Sequence, residues 1–151
     1  MIRAQAVTES TVDDATTGSD LVEHVAGEVA SVTADAAYDT VAFYTAASAR
    51  GATVVVPPAK TASVSRRGPR SSVRDRTIKR VKELGRRRWK KESGYHQQAR
   101  VENAFFRYKS IIGSGLRART SGARQTEARL ACNILNRMPE LGRPASYRLQ
   151  N

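Results

Sequence analysis

Apolar and polar side chains alternate along Ile2–Val7, the period of a half-buried β-strand. Asp13 or Asp14 then caps a helix with apolar positions Leu21, Val22 and Val25, expected to stop near Gly27. Ser31–Ala34 reads as a short strand. It is followed by Asp35-Ala36-Ala37-Tyr38-Asp39-Thr40, where Asp39 or Thr40 can cap a second helix running through Arg50 to Gly51. Thr53–Val56 has the uninterrupted apolar character of a fully buried strand, and Pro57-Pro58 stops it. Strand alternating with helix in this way predicts an α/β sheet with crossover helices.

The back half reads differently. Residues 59–71, rich in Ser, Arg, Gly and Pro, predict an exposed loop. A helical pattern follows from Val73 to about Lys91, weakened at Gly85. After Gly94 a cleaner helix is expected from Tyr95 to Ile112. Val101, Ala104, Phe105, Tyr108, Ile111 and Ile112 recur there at three- and four-residue spacings, which predicts a buried stripe ended by Gly113-Ser114-Gly115. A last helix from about Arg124 to Met138 is expected to bury Leu130, Ala131, Ile134, Leu135 and Met138. The natural divisions are 1–58 (sheet and crossover helices), 59–91 (basic loop and helix) and 92–151 (the last two helices, in the same domain).

Length and composition narrow the class. The chain has 151 residues, enough for one ordinary domain, with 40% apolar and 26% charged residues. No apolar run is long enough to span a membrane, and the first residues lack the apolar core of a secretory signal. The lone cysteine, Cys132, rules out a disulfide framework and is expected in the core of the last helix. These features point to a cytoplasmic chain.

Charge adds more, because it is unevenly spread. Net charge is +12 overall. Residues 1–58 carry two basic against eight acidic side chains, and residues 59–151 carry twenty-four against six. The densest stretch, Lys60 to Lys91, holds fourteen Lys or Arg against Asp75 and Glu83. Arginine dominates it, which suits bidentate contacts to phosphate, so a polyanion such as DNA is the expected partner. A solvated basic surface would read the same way.

His24 and His96 have no Cys or His partner at ligand spacing, so a zinc site is not expected. Two carboxylates stand out instead. Asp35 closes the second expected strand, where open α/β sheets place their reactive residues. Glu102 lies in the helix from Tyr95, and Tyr95, Gln98, Glu102 and Lys109 fall on one stripe by their spacing. A strand-end acid meeting a helix acid is how a magnesium site for phosphodiester chemistry is assembled. Asp35 could equally be a turn residue, and Glu102 could pair with Lys109 or Arg107 on the helix surface.

With these residues in place, the chain resembles the C-terminal part of the catalytic domain of bacterial DDE transposases of the insertion-sequence-five type, from about Val7 to Leu141. Ala34-Asp35-Ala36-Ala37-Tyr38-Asp39-Thr40 is similar to the segment around the family's second catalytic Asp. Trp89-Lys90-Lys91-Glu92-Ser93-Gly94-Tyr95-His96 leads into its third motif: Tyr, two residues, Arg, three residues, Glu, six residues, Lys. That motif falls on Tyr95, Gln98, Glu102 and Lys109. Leu135-Asn136-Arg137-Met138 resembles the closing helix.

The resemblance implies a ribonuclease-H-like fold in which Asp35 and Glu102 hold Mg2+ (or Mn2+) for DNA cleavage and strand transfer. Tyr95, Gln98 and Lys109 would position the DNA backbone, and Arg86, Arg87, Arg88 and Lys90 would lie along flanking DNA. It also implies nucleoid association and a homodimer, or association with full-length transposase. Gln98 replaces the family's Arg, and Arg100 points about 200° away around a helix. The family's first catalytic Asp belongs on a strand upstream of this chain. Ile2–Val7 would be the third strand of a sheet ordered 3-2-1-4-5, leaving a partial fold without its first two strands. Asp13 and Asp14, after the third strand, are expected to be too far from Asp35 to replace the missing acid. The chain is therefore expected to be a truncated transposase that does not cleave DNA alone, or else a non-catalytic DNA-binding protein or a regulatory fragment.

Overall fold

A computed structural model of the chain describes residues 1–66 and 70–142. It divides into a larger unit, Thr8–Ala104, and a smaller one of Met1–Val7 with the residues from Phe105 onward.

In the larger unit, α1 (Asp14–His24) starts where the Asp13 carboxylate accepts the Thr16 amide at 3.0 Å. Its end is held by Arg50, whose guanidinium donates to the Glu23 carbonyl in the last turn and to the Val25 and Gly27 carbonyls just beyond it. Strand β1 (Ser31–Thr33) pairs in parallel with β2 (Thr53–Val55), Val32 opposite Val54. Between them α2 (Val41–Ala49) makes the crossover, capped by the Thr40 hydroxyl accepting from the Phe43 amide. Phe43, Tyr44 and Ala47 of α2 pack with Ala34, Ala52, Val54 and Val56 as the core. Gly18 of α1 lets Tyr38 and Phe43 come close: a Cβ built there would lie 2.5 Å from the Tyr38 ring. The two rings meet at 5.2 Å.

Asp39 corrects an expectation. Thr40 caps α2, while the Asp39 side chain, 1% exposed, accepts from Arg74 at 2.8 and 3.0 Å and from the Ala59 amide at 2.9 Å. Arg74 is thus an internal strut, although it sits in the run expected to face DNA. The loop before it is tied as well as exposed, because the Ser65 amide donates to Asp75. The single helix expected from Val73 to Lys91 is two, α3 (Ser72–Leu84) and α4 (Arg86–Glu92). They break at Gly85, whose φ of 78° and ψ of 150° belong to glycine alone.

The helix expected to begin at Tyr95 opens as a 3-10 turn, Tyr95–Gln98, and becomes α5 (Ala99–Ile111) after it. α5 belongs to the larger unit through Ala104 and to the smaller one from Phe105. Its apolar stripe is not buried. Val101 and Ile111 are exposed, Phe105 is 65% exposed, and Ala104, Tyr108 and Ile112 are half-buried. Three- and four-residue spacing identifies an apolar face but does not supply what covers it.

In the smaller unit Ile2–Val7 is not a strand. Its peptide groups find side-chain amides of α6 (Ser121–Arg137) in place of a neighbouring strand. Asn136 bonds both the N–H and the C=O of Ile2, and Gln125 donates to the Val7 carbonyl. α6 begins three residues earlier than expected because Thr120 caps it. It buries Ala128, Ala131 and Leu135, whereas Leu130, Ile134 and Met138 stay exposed and Cys132 is half-buried.

Candidate active site

Asp35 stands two residues past the end of β1, after Ala34. A 3-10 turn, Ala36–Tyr38, begins there because the Asp35 carboxylate accepts the Ala37 amide at 2.8 Å. This bond engages one carboxylate oxygen and fixes the side chain's direction, while the residue itself is exposed. The turn ends at Asp39, so Asp35 and the buried ion pair of Asp39 anchor opposite ends of one short element.

β1 lies against the Tyr95–Gln98 turn. Tyr95 is half-buried and is where several groups meet. Burial raises its phenol pKa first, and the negative charges of Asp35 and Glu102 raise it further, with Arg86 opposing them. The strand-end acid, the helix acid and one arginine of the basic run therefore act on the same hydroxyl. The Lys90 ammonium stands 4.6 Å from the centre of the Tyr95 ring, and the Trp89 ring lies 6.3 Å from it. Glu102 is exposed on the first turn of α5. The ion pairs of the described residues do not include it, and Arg107 donates to the Leu135 carbonyl instead.

Gln98 is half-buried, and its side-chain oxygen is enclosed without a hydrogen-bond partner. Tyr95 and Gln98 belong to the 3-10 turn, so the stripe expected from α-helical spacing starts in a tighter geometry. Lys109 lies on the part of α5 grouped with the smaller unit. Arg86 donates to the Pro58 carbonyl just beyond β2. Arg88 pairs with Glu92 at 3.0 Å, an acid it shares with Arg80. Arg87 is exposed, and Arg86, Arg87, Arg88 and Lys91 line an open depression of about 400 Å³. The expected basic surface thus includes residues already committed to internal partners.

Asp13 and Asp14 share Tyr38 with Asp35: burial raises that phenol's pKa first, and the charges of Asp14, Asp35 and Asp13 raise it further. No group of three His, Cys, Asp or Glu able to hold a metal occurs among the described residues. Residues 1–137, nearly the whole chain, match the transposase DDE domain family. The chain belongs to this family. No solved structure matches it.

A DDE transposase domain takes DNA as its substrate and depends in general on divalent metal. No helix among the described residues of this domain is long and apolar enough to cross a membrane. Sequence reasoning missed the Arg86 tie to Pro58 and the Lys90 cover over Tyr95. Their signal, a tryptophan inside Arg86-Arg87-Arg88-Trp89-Lys90-Lys91, marks a buried anchor in a charged helix but not which cation turns inward.

Proposed function

We propose that this chain carries the second and third metal-binding carboxylates, Asp35 and Glu102, of an insertion-sequence-five-type DDE transposase on a partial ribonuclease-H-like sheet. The observation that carries this reading is the packing of β1, which leads to Asp35, against the Tyr95–Gln98 turn, which leads into the helix of Glu102. A parallel β1–β2 pair with its crossover helix supports the fold.

The donor set fits magnesium. Both groups are hard oxygen ligands, both are exposed, and Asp35 is held in one direction by the Ala37 amide. Magnesium is commonly held by only one or two carboxylates, completing its shell with water and substrate phosphate. When bound, such a metal activates an attacking oxygen and neutralises charge at the scissile phosphate. Tyr95 and Gln98 contact the DNA backbone beside the acids, and Lys109, in the smaller unit, contacts it separately. Arg87 and Lys90 contribute charge, and Arg86 and Arg88 do so from their tethered positions. Gln98 supplies hydrogen bonds but no charge, so backbone grip here is weaker than with the family's arginine.

On this reading the chain supplies two of the family's three catalytic acids and does not cleave DNA alone. By itself it acts as a DNA-binding or regulatory piece, paired with itself or with a complete transposase at the nucleoid. Mn2+ binding, followed by electron paramagnetic resonance, tests the site. Asp35→Asn and Glu102→Gln should each weaken binding by about tenfold, roughly 1.4 kcal/mol. Mn2+ affinity untouched by both substitutions would remove the proposal, and cleavage of a labelled duplex by the chain with Mg2+ would overturn its inactivity.

A further inference from the structure

The segment joining α5 to α6 is clamped in the smaller unit. The Glu127 carboxylate accepts the Arg117 amide at 2.9 and 3.0 Å and the Ala118 amide at 2.8 Å. Arg124, three residues earlier on α6, donates to the Ala118 carbonyl at 3.2 Å. Two side chains one helical turn apart thus fix consecutive peptide groups. Leu116 and Ala118 are half-buried while Arg117 and Arg119 are exposed. The ion pairs of the described residues include neither arginine. Residues 105–142 carry seven basic side chains against Glu127 and Glu140, and Glu127 is already engaged with backbone amides.

We propose that the clamped segment Leu116–Arg119 is a second DNA-backbone contact, in which Arg117 and Arg119 each hold a backbone phosphate. It rests on the DNA-binding part of the proposed function and adds a surface outside the Asp35–Glu102 region. Guanidinium forks bind phosphate oxygens in pairs. A segment already ordered by Glu127 and Arg124 loses little freedom when it binds.

Fluorescence anisotropy with a labelled mixed-sequence duplex, repeated over a salt series, tests this on the full chain. Arg117→Gln with Arg119→Gln should lower the slope of log affinity against log salt by about 1.8, roughly 0.9 per phosphate. Glu127→Ala separates a clamp from simple charge. Loss of an acid alone strengthens DNA binding, whereas loss of the clamp weakens it, retains the slope and speeds hydrogen exchange at the Arg117 and Ala118 amides. An unchanged slope in the arginine variant, or tighter binding by Glu127→Ala, overturns the proposal. Arg87→Gln with Lys91→Gln reports on the larger unit. If it lowers the slope while the Arg117–Arg119 variant does not, this proposal falls and the broader DNA reading stands. If the unaltered chain shows no salt-dependent binding, both fall.

Discussion

Arg74→Ala should destabilise the larger unit far more than its place in a basic run suggests. The Arg74 guanidinium meets both oxygens of Asp39 at 2.8 and 3.0 Å, with side chains only 13% and 1% exposed. Removing the arginine leaves a buried carboxylate with the Ala59 amide as its remaining donor. Breaking a buried pair from one side costs about 3–5 kcal/mol, a large part of the roughly 5–15 kcal/mol that holds a domain folded. Lys79 on the same helix is exposed, and its replacement by alanine should stay within about 0.5 kcal/mol. Urea unfolding followed by circular dichroism reads the difference. With a slope of about 2 kcal/mol per molar, the Arg74→Ala midpoint drops by roughly 1.5–2.5 M. Asp39→Ala should cost less, because the arginine's long stem can carry its charge to water. The double variant should recover part of the loss. Equal effects at Arg74 and Lys79, or strictly additive losses in the double variant, would refute the assignment of Arg74 as an internal strut.

Two further outcomes follow from the same unit. Gly18→Ala should destabilise by about 1–3 kcal/mol through overpacking, outweighing a gain of about 1 kcal/mol in helix propensity, because the added Cβ meets the stiff Tyr38 ring at 2.5 Å; a raised melting temperature would contradict this contact. Burial, and then the Asp39 charge, push the Tyr44 phenol up to about 12 from an ordinary 10. Because the folded value is the higher one, the stabilisation is complete below pH 10 and is lost as pH rises towards 12. The ultraviolet difference titration between the chain and Tyr44→Phe should show this late ionisation, and a Tyr44 that ionises near pH 10 while the chain is still folded would refute it.

Most local structure of residues 8–58 was legible in the sequence, because there the decisive interactions are short-range. Asp13 and Thr40 cap their own helices, Gly51 closes one, and Pro57-Pro58 stops β2. Asp35 could be placed after a strand for the same reason. Period alone misled wherever a partner was required. Ile2–Val7 alternates like a strand, but Asn136 and Gln125 occupy its peptide groups. The α5 stripe recurs at helical spacing, yet Phe105 and Ile111 remain exposed. Asp39 and Arg74 are thirty-five residues apart, and nothing in either neighbourhood announces their pairing. The gathering of Lys90, Arg86 and Glu102 around Tyr95 depends on the break at Gly85 and the 3-10 start of the next helix, details finer than an apolar pattern records.

Gly85 also divides the labour of the cationic stretch. Before it, α3 braces the interior through Arg74; after it, α4 starts in a new direction, with Arg86 on the Pro58 carbonyl and Lys90 above Tyr95. One unbroken rod would carry both sets of side chains in a single helical progression and could not aim them independently. A residue without a side chain thereby lets a simple run of like charges serve as scaffold at one end and as cover for the Tyr95 ring at the other.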